Sequence, residues 1–335
     1  MTLAKSDEHR VLTHWPFLEG MRLEPTCQGG SNKTYFIHTL TDTFVLKIYA
    51  ATAEISQIEY EHRLLAFLQE QSPSFSLPTP IPTSNGETLV HLETESRSLR
   101  ASLLPRLSGK PANRHHLKQV YSIGCALAEL HAALAEFDPD GKLARLPYWG
   151  NLSEIHPAIN NPLEIARILD LGRSEQTALN QILTEVLAEA AYLYTNLPVQ
   201  TIHADYITPN ILVDDDQVVS ILDFEYATRD LRLLDYLSSL DELASFPWKE
   251  RQFESIIRAF STGYRERNAL SLSEQEAITT VWRLQRASSL VYWTGWVLEG
   301  KVDRLKVADA AIETVRFETW LQQNRGKLLA SLIAS

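Results

Sequence analysis

The stretch Thr201–Asp223, TIHADYITPNILVDDDQVVSILD, reads as a short apolar entry, a polar loop, a strand, an acidic turn and a second strand. Pro209 fixes its own φ and lacks an N–H, which keeps the loop from closing into a helix. Ile211-Leu212-Val213 and Val218–Leu222 are apolar, β-branched runs on either side of Asp214-Asp215-Asp216, the pattern of a hairpin. Asp205, Asn210 and Asp223 stand at the edges of that hairpin, each with side-chain oxygen on a short stem. Hard oxygen donors at strand ends are what Mg²⁺ selects, usually alongside substrate phosphates.

The order His203-x-Asp205, then Asn210, a strand and Asp223-Phe224 is the phosphoryl-transfer spacing of the kinase fold. His203-Ala-Asp205-Tyr-Ile-Thr-Pro-Asn210-Ile-Leu, followed by Ile221-Leu-Asp223-Phe-Glu225, resembles the aminoglycoside phosphotransferase and choline kinase superfamily of small-molecule kinases. Ala204 stands where protein kinases carry Arg, and Glu225 where they carry the Gly of D-F-G; both departures favour the small-molecule branch. The resemblance implies an α+β, bilobal protein-kinase-like fold with a small antiparallel-sheet N-terminal lobe and a larger, mainly helical C-terminal lobe. It implies that Asp205 orients the acceptor hydroxyl and takes its proton, that Asn210 and Asp223 hold Mg²⁺, and that ATP is the donor. His203 is expected to brace the loop by hydrogen bonding. Nothing after Asp223 reads as an activation segment closing with Ala-Pro-Glu, which argues against a protein substrate.

Bulk properties narrow the partners. With 335 residues, 44% of them hydrophobic, the chain can build one large or two modest domains. A net charge of −11 disfavours nucleic acid, whose backbone calls for a basic face. Cys27 and Cys125 have dissimilar contexts and suggest neither a disulfide framework nor a metal knuckle. The N-terminus MTLAKSDEHR lacks the apolar core of a signal peptide, and no uninterrupted apolar run is long enough for a bilayer. A cytoplasmic protein without membrane contact is expected.

In the N-terminal third, Val11, Leu12, Trp15 and Phe17 are placed to cover a small sheet. Gly29-Gly30-Ser31-Asn32, feeding an alternating run, reads as a turn whose amides can form an anion-binding nest. The same four residues resemble the family's nucleotide loop. Thr43–Tyr49 alternates like a strand with Lys47 in its middle, and an unpaired buried ammonium would be costly. The resemblance gives Lys47 the ATP phosphates and a glutamate partner on the helix expected over Ala53–Gln71. Glu54, Glu59 and Glu61 compete for that role; Glu61 is chosen, with Glu59 the fallback. Asn85-Gly86 should make a tight turn before strands near Glu87–Glu93 and Leu99–Leu104. Leu104-Pro105-Arg106-Leu107 resembles the family's hinge, where main-chain groups read adenine and Arg106 belongs to the nucleotide site. The expected division is therefore 1–105, nucleotide-binding, and 106–335, carrying the catalytic loop, metal and acceptor sites.

Beyond it the hydrophobic period changes to about 3.6, with long helices expected over His116–Phe137 and roughly Ser174–Thr195. His131 is expected to be a hydrogen-bonded core histidine and Asp235 a structural anchor. Trp293 and Trp296, three apart, fall on one helical face. With the Asp223-Phe-Glu-Tyr-Ala run they resemble choline and ethanolamine kinases, in which aromatic faces cage a quaternary ammonium. Ile202-His-Ala-Asp205 and the Asp223-Phe-x-Tyr-Ala core resemble type II homoserine kinases instead. The expected acceptor is a small, amine-bearing alcohol of either kind, with Glu225, Asp230, Trp293 and Trp296 as acceptor-site candidates. An aminoglycoside or sugar kinase is the alternative. A catalytically silent pseudokinase scaffold is disfavoured because Lys47, Glu61, Asp205, Asn210 and Asp223 are all present. The aromatic C-terminal helices could also build the face of a homodimer.

Overall fold

A computed structural model describes residues 5–26, 32–93, 98–141, 144, 149–244 and 252–333. Gly29, Gly30 and Ser31 of the expected nucleotide loop, and Cys27, lie outside the described residues. The chain is α+β and divides into two compact units, the first comprising Met1–Gly109, Phe137–Ala144 and Val219–Glu225, the second the remainder.

The first unit is built on an antiparallel sheet of β1 (Leu23–Pro25), β2 (Lys33–His38), β3 (Thr43–Ile48), β4 (Val90–Glu93) and β5 (Ser98–Pro105), in the order β1-β2-β3-β5-β4. Side chains alternate faces along a strand. Tyr35 and Ile37 of β2, Leu46 and Ile48 of β3, and Leu99, Ala101 and Leu103 of β5 accordingly share one buried cluster. Helix α1 (Lys5–Leu12) and the segment after it cover that face with Val11, Leu12, Trp15 and Leu18. Trp15 also donates its indole N–H to the Ile81 carbonyl at 3.0 Å. Phe17, expected among the covering residues, is instead 53% exposed and sits edge-on to Phe44. Pro16–Leu18 is a 3₁₀ turn, in which residues three apart eclipse one another, so Leu18 follows Trp15 inward and Phe17 does not. Lys47, out of phase with Leu46 and Ile48, projects to the opposite side of the sheet, where α2 (Ile55–Glu70) supplies its partner. Before β4, the Asn85-Gly86 turn closes with Gly86 N–H donating to Thr83 at 2.9 Å and Gly86 at φ +84°.

The second unit is mostly helical. It holds β6 (Lys110–Pro111), α3 (Leu117–Leu134), the short α4 (Ile165–Ile168), α5 (Arg173–Asn196), β7 (Val199–Ile202), β8 (Ile211–Asp214) and the start of β9 (Gln217–Ile221). β10 (Thr228–Leu231), α6 (Arg232–Leu243), α7 (Phe253–Arg265), α8 (Leu272–Leu298) and α9 (Arg304–Ile333) follow. β7 pairs antiparallel with β10, and β6 with β8, so the catalytic-type loop 203–210 leaves one strand and enters another. Among the described residues no helix is long and apolar enough to cross a membrane.

Helices α3 and α7 approach closely because each presents a glycine at their crossing. A Cβ on Gly124 would lie 2.1 Å from the Phe260 carbonyl oxygen, and one on Gly263 would lie 2.0 Å from that of Tyr121. Neither obstacle is a flexible side chain, so the helices would have to separate. Gly→Ala ordinarily helps a helix by nearly 1 kcal/mol. Here overpacking wins: Gly124→Ala is expected to destabilise the chain by about 1–3 kcal/mol, read as a lower urea midpoint at unchanged slope. An unchanged or raised midpoint would show that the crossing has slack.

Candidate active site

In the first unit the site is organised around one buried cation. Lys47 Nζ donates to Glu61 Oε1 at 3.0 Å and lies 3.4 Å from Oε2, and both side chains are more than nine-tenths buried. Glu61 is thus the glutamate of α2 that takes the lysine. Burial alone would push the ammonium toward its neutral form. Glu61 first, then Tyr49, Asp223 and Glu225, outweigh that and hold its pKa above the ordinary lysine value. Glu225 Oε2 stands 3.7 Å from Nζ and also accepts from the Asn32 amide, whose own oxygen takes the Ala50 N–H at 2.9 Å. Glu225, expected among the acceptor residues, is therefore engaged with Lys47 and Asn32. Arg106 stacks its guanidinium over the Phe36 ring at 4.9 Å and donates its backbone N–H to Thr43. Asp223 adopts φ +59°, a left-handed conformation uncommon outside glycine though more readily taken by Asp and Asn, two residues past the end of β9.

Behind Lys47 is a set of residues that sequence reasoning missed. Tyr49 places its ring 5.1 Å from Nζ, and its hydroxyl bonds His62 Nε2 at 3.0 Å. His62 Nδ1 meets Thr88 Oγ1 at 2.8 Å, and Ser102 Oγ lies 3.3 Å from Nε2 and donates to the Thr88 carbonyl. His62, next to Glu61 on α2, thus fastens the helix that carries the lysine's partner to the sheet that carries the lysine. Period two from Lys47 was the available signal for Tyr49. Nothing local marked His62.

In the second unit the loop after β7 is held from below by Asp235. Its carboxylate, wholly inaccessible to water, accepts the His203 N–H at 2.9 Å, the Ala204 N–H at 3.0 Å and His131 Nε2 at 3.0 Å. Burial would raise its pKa, but His131 first and His203 next reverse that, and the group is held below the ordinary aspartate value. The other nitrogen of His131 bonds the Tyr264 hydroxyl at 2.8 Å, the core role expected for that histidine. Two amide donors in succession require a sharp local turn, and Ala204 makes it at φ +63°. His203 then braces the next residue: its Nδ1 accepts the Asp205 N–H at 3.2 Å, and its ring sits edge-on to Tyr206. Further along, Glu242 accepts both the Thr208 N–H at 3.1 Å and its hydroxyl at 2.7 Å. Asn210 closes the loop, its amide nitrogen donating to Asp205 Oδ2 at 2.8 Å and to the Asp205 carbonyl at 3.0 Å. With that nitrogen engaged, the face Asn210 has left to offer is its carbonyl oxygen. A side-chain carbonyl oxygen of this kind is a hard donor that suits Mg²⁺.

The remaining acceptor candidates are placed differently from expectation. Asp230 is wholly buried and accepts the Trp149 N–H at 2.6 Å, the Leu231 N–H at 2.6 Å and the Tyr194 hydroxyl. Burial pushes its pKa up to about 6 against those hydrogen bonds. It fastens Trp149 to β10 and has no face for a substrate. Trp293 and Trp296 part company. Both pack edge-on against Tyr292, but Trp296 also meets His156 beneath the Lys301 ammonium, whereas Trp293, 48% exposed, opens onto a cavity bounded by α9. Tyr292 turns toward Trp149 and Tyr226, its hydroxyl 3.3 Å from that of Tyr226. Trp149 was missed because it lies in a stretch without periodicity.

The sequence profile of the phosphotransferase enzyme family matches residues 23–270. A homoserine kinase of Neisseria meningitidis serogroup B is 25% identical over 299 residues, spanning 89% of this chain and 90% of that protein. Among solved structures, a microcompartment-associated aminopropanol kinase superposes with a TM-score of 0.75 at 17% identity, over 96% of this chain and 99% of that one. An amicoumacin kinase in complex with AMP-PNP and Ca²⁺ superposes with a TM-score of 0.68 at 14% identity, over 92% and 93% of the respective chains. At such identities the superpositions establish the fold.

His62 provides a check on the first unit. Burial, and then the Lys47 charge, lower its pKa to about 3, so the folded protein keeps it neutral at all ordinary pH. The unfolded imidazole titrates near ~6.5. Between those values the unfolded state binds the extra proton, so stability falls as pH drops below about 6.5, by up to about 1.4 kcal/mol per pH unit from this group. His62→Gln should flatten that acid limb of the stability curve, and the His62 ring resonances should not titrate between about pH 5 and 8 in the folded protein. An NMR midpoint near ~6.5 would contradict the buried, neutral assignment.

Proposed function

We propose that this chain, which belongs to the phosphotransferase enzyme family, transfers the γ-phosphate of ATP, with Mg²⁺, to the hydroxyl of a small amine-bearing alcohol. That the enzyme is a phosphotransferase with an alcohol group as acceptor follows from the family itself. The finer reading is carried chiefly by one observation: the Asp205–Asn210 loop is fixed at both ends by carboxylates, the buried Asp235 and the half-buried Glu242, so that Asp205 and Asn210 face one another.

Bound Mg-ATP would supply the phosphoryl group, and Asn210 and Asp223 are the oxygen donors assigned to the metal. Lys47 is assigned to the phosphates, because a lysine held charged by a buried glutamate keeps a fixed ammonium for an anion. Asp205 orients the acceptor hydroxyl. As the acceptor oxygen bonds to phosphorus and the bond to ADP breaks, Asp205 takes the hydroxyl proton; because that transfer comes late, no raised basicity is needed. Positioning by His203, Asn210 and the backbone therefore matters more than the strength of the base.

For the acceptor, a homoserine-type amino alcohol is the reading put forward. It is supported by the homoserine kinase relatives from Neisseria and Rhizobium, which align over most of both chains. The parting of Trp293 from Trp296 weakens the choline-type reading, since a quaternary ammonium cage needs aromatic faces that converge. The test is ADP release with Mg-ATP across homoserine, choline, ethanolamine, several aminoglycosides and a few sugars. Turnover is expected on homoserine or a near amino alcohol. Turnover on choline that is lost in Trp296→Ala would replace that reading with the cage. Turnover confined to a sugar or an aminoglycoside would overturn the small amino-alcohol class altogether.

A further inference from the structure

The cavity onto which Trp293 opens lies wholly in the second unit and encloses about 440 Å³, the scale of sites that take small organic molecules. Its apolar wall comes from Leu290, Trp293, Val302, Val307 and Ala310, on α8, α9 and the connection between them. It belongs to a different side of α8 from the residues near Tyr226. At about 100° per residue, Arg286, Leu290 and Trp293 cluster on one stripe, while Ser288 and Tyr292, which meet Trp149, fall roughly 100° or more away.

The charges around the cavity are unevenly matched. Asp241 and Arg286 neutralise one another at 2.6 Å, and the Trp282 indole donates to the same carboxylate. Glu313 Oε1 is paired with Arg316 at 2.6 Å, outside the lining. Besides the orphaned amide oxygen of Gln285, two charged functions are left over. No carboxylate among the described residues pairs with Lys306, a cation at the exposed rim. Glu313 Oε2 is buried without any hydrogen-bond donor, a situation that folded proteins generally avoid. An exposed ammonium at the mouth can take an anion, an orphaned buried acceptor calls for an N–H or O–H, and between them stands an apolar wall faced by an indole.

We propose that this cavity is a second small-molecule site, for a carboxylate that also carries a hydrogen-bond donor and an apolar body. The carboxylate pairs with Lys306, the donor satisfies Glu313 Oε2, and the body packs on Trp293 and Val307. An amino acid and a hydroxy acid both have this chemistry.

Calorimetric titration of the full chain with four molecules of one shape tests it. L-phenylalanine and 3-phenyllactate carry both functions, 3-phenylpropionate lacks the donor, and phenethylamine lacks the carboxylate. Binding of the first or second, weaker binding of the third and none of the fourth are expected; which of the first two binds identifies the donor as ammonium or hydroxyl. Lys306→Ala, a change at the rim that leaves the core untouched, should weaken binding about tenfold, the loss expected for one charge-assisted contact. Val307→Trp should abolish it by filling the cavity. Saturating Mg-AMP-PNP should leave the affinity unchanged, as should Asp205→Asn. Equal binding of phenethylamine, indifference to Lys306→Ala, or displacement by the nucleotide would each overturn the proposal. No binding by either bifunctional molecule would overturn it as well.

Discussion

Asp235 is a carboxylate shut away from water, and nearly everything distinctive about the second unit depends on how that charge is accommodated. An isolated buried carboxylate would be very unfavourable, so it must collect donors. It does so by drawing in two consecutive backbone amides and one imidazole. Those amides belong to His203 and Ala204, so the demand for hydrogen bonds is met by bending the loop immediately before Asp205. Ala204 accepts a left-handed conformation as part of that bend. Removing one partner of such a buried charge typically costs about 3–5 kcal/mol, because the other is left uncompensated. The loop is held for an electrostatic reason, and those bonds fix where Asp205 stands.

The first unit solves the opposite problem with the same means. Lys47 is a buried cation on a strand, and the carboxylates of Glu61 and Glu225 surround it. Buried pairs of this kind contribute little net stability, since desolvation offsets much of the attraction. Their use is in position. Tyr49 and His62 extend the arrangement, tying the helix to the sheet through neutral hydrogen bonds, so that the lysine and its glutamate cannot move independently. A histidine was compatible with this place only because it stays uncharged beside the ammonium.

Much of this was readable in the chain because it is written locally. A lysine flanked by alternating apolar residues announces both a strand and a need for a carboxylate, and α2 offered few to choose from. The spacing from His203 to Asn210 is fixed within one loop, and a proline inside it excludes helix. What could not be read depended on partners distant in sequence. Asp230 has the composition of an acceptor-site acid, yet Trp149 and Tyr194 enclose it, and nothing near residue 149 signals that contact. Trp293 and Trp296 share a helical face by spacing alone, but residues three apart are still offset by roughly 60° around the axis. That offset is enough for His156 to claim one ring and the α9 cavity the other. Phe17 lost its place to Leu18 through a 3₁₀ turn whose period differs from that of an α-helix.

The measurement that bears most directly on the account is a comparison of Asp205→Asn with the unaltered chain, reading Mg-ATP affinity and phosphoryl transfer separately. Asparagine keeps the shape and the hydrogen bonds that Asp205 accepts at its backbone, but cannot take a proton. If Asp205 orients and deprotonates the acceptor, nucleotide affinity should be nearly unchanged while turnover falls by about 10²–10⁴-fold, the usual contribution of a positioned proton acceptor. Turnover close to that of the unaltered chain, with the nucleotide bound equally well, would show that the loop so carefully held by Asp235 is not where the phosphoryl group is transferred.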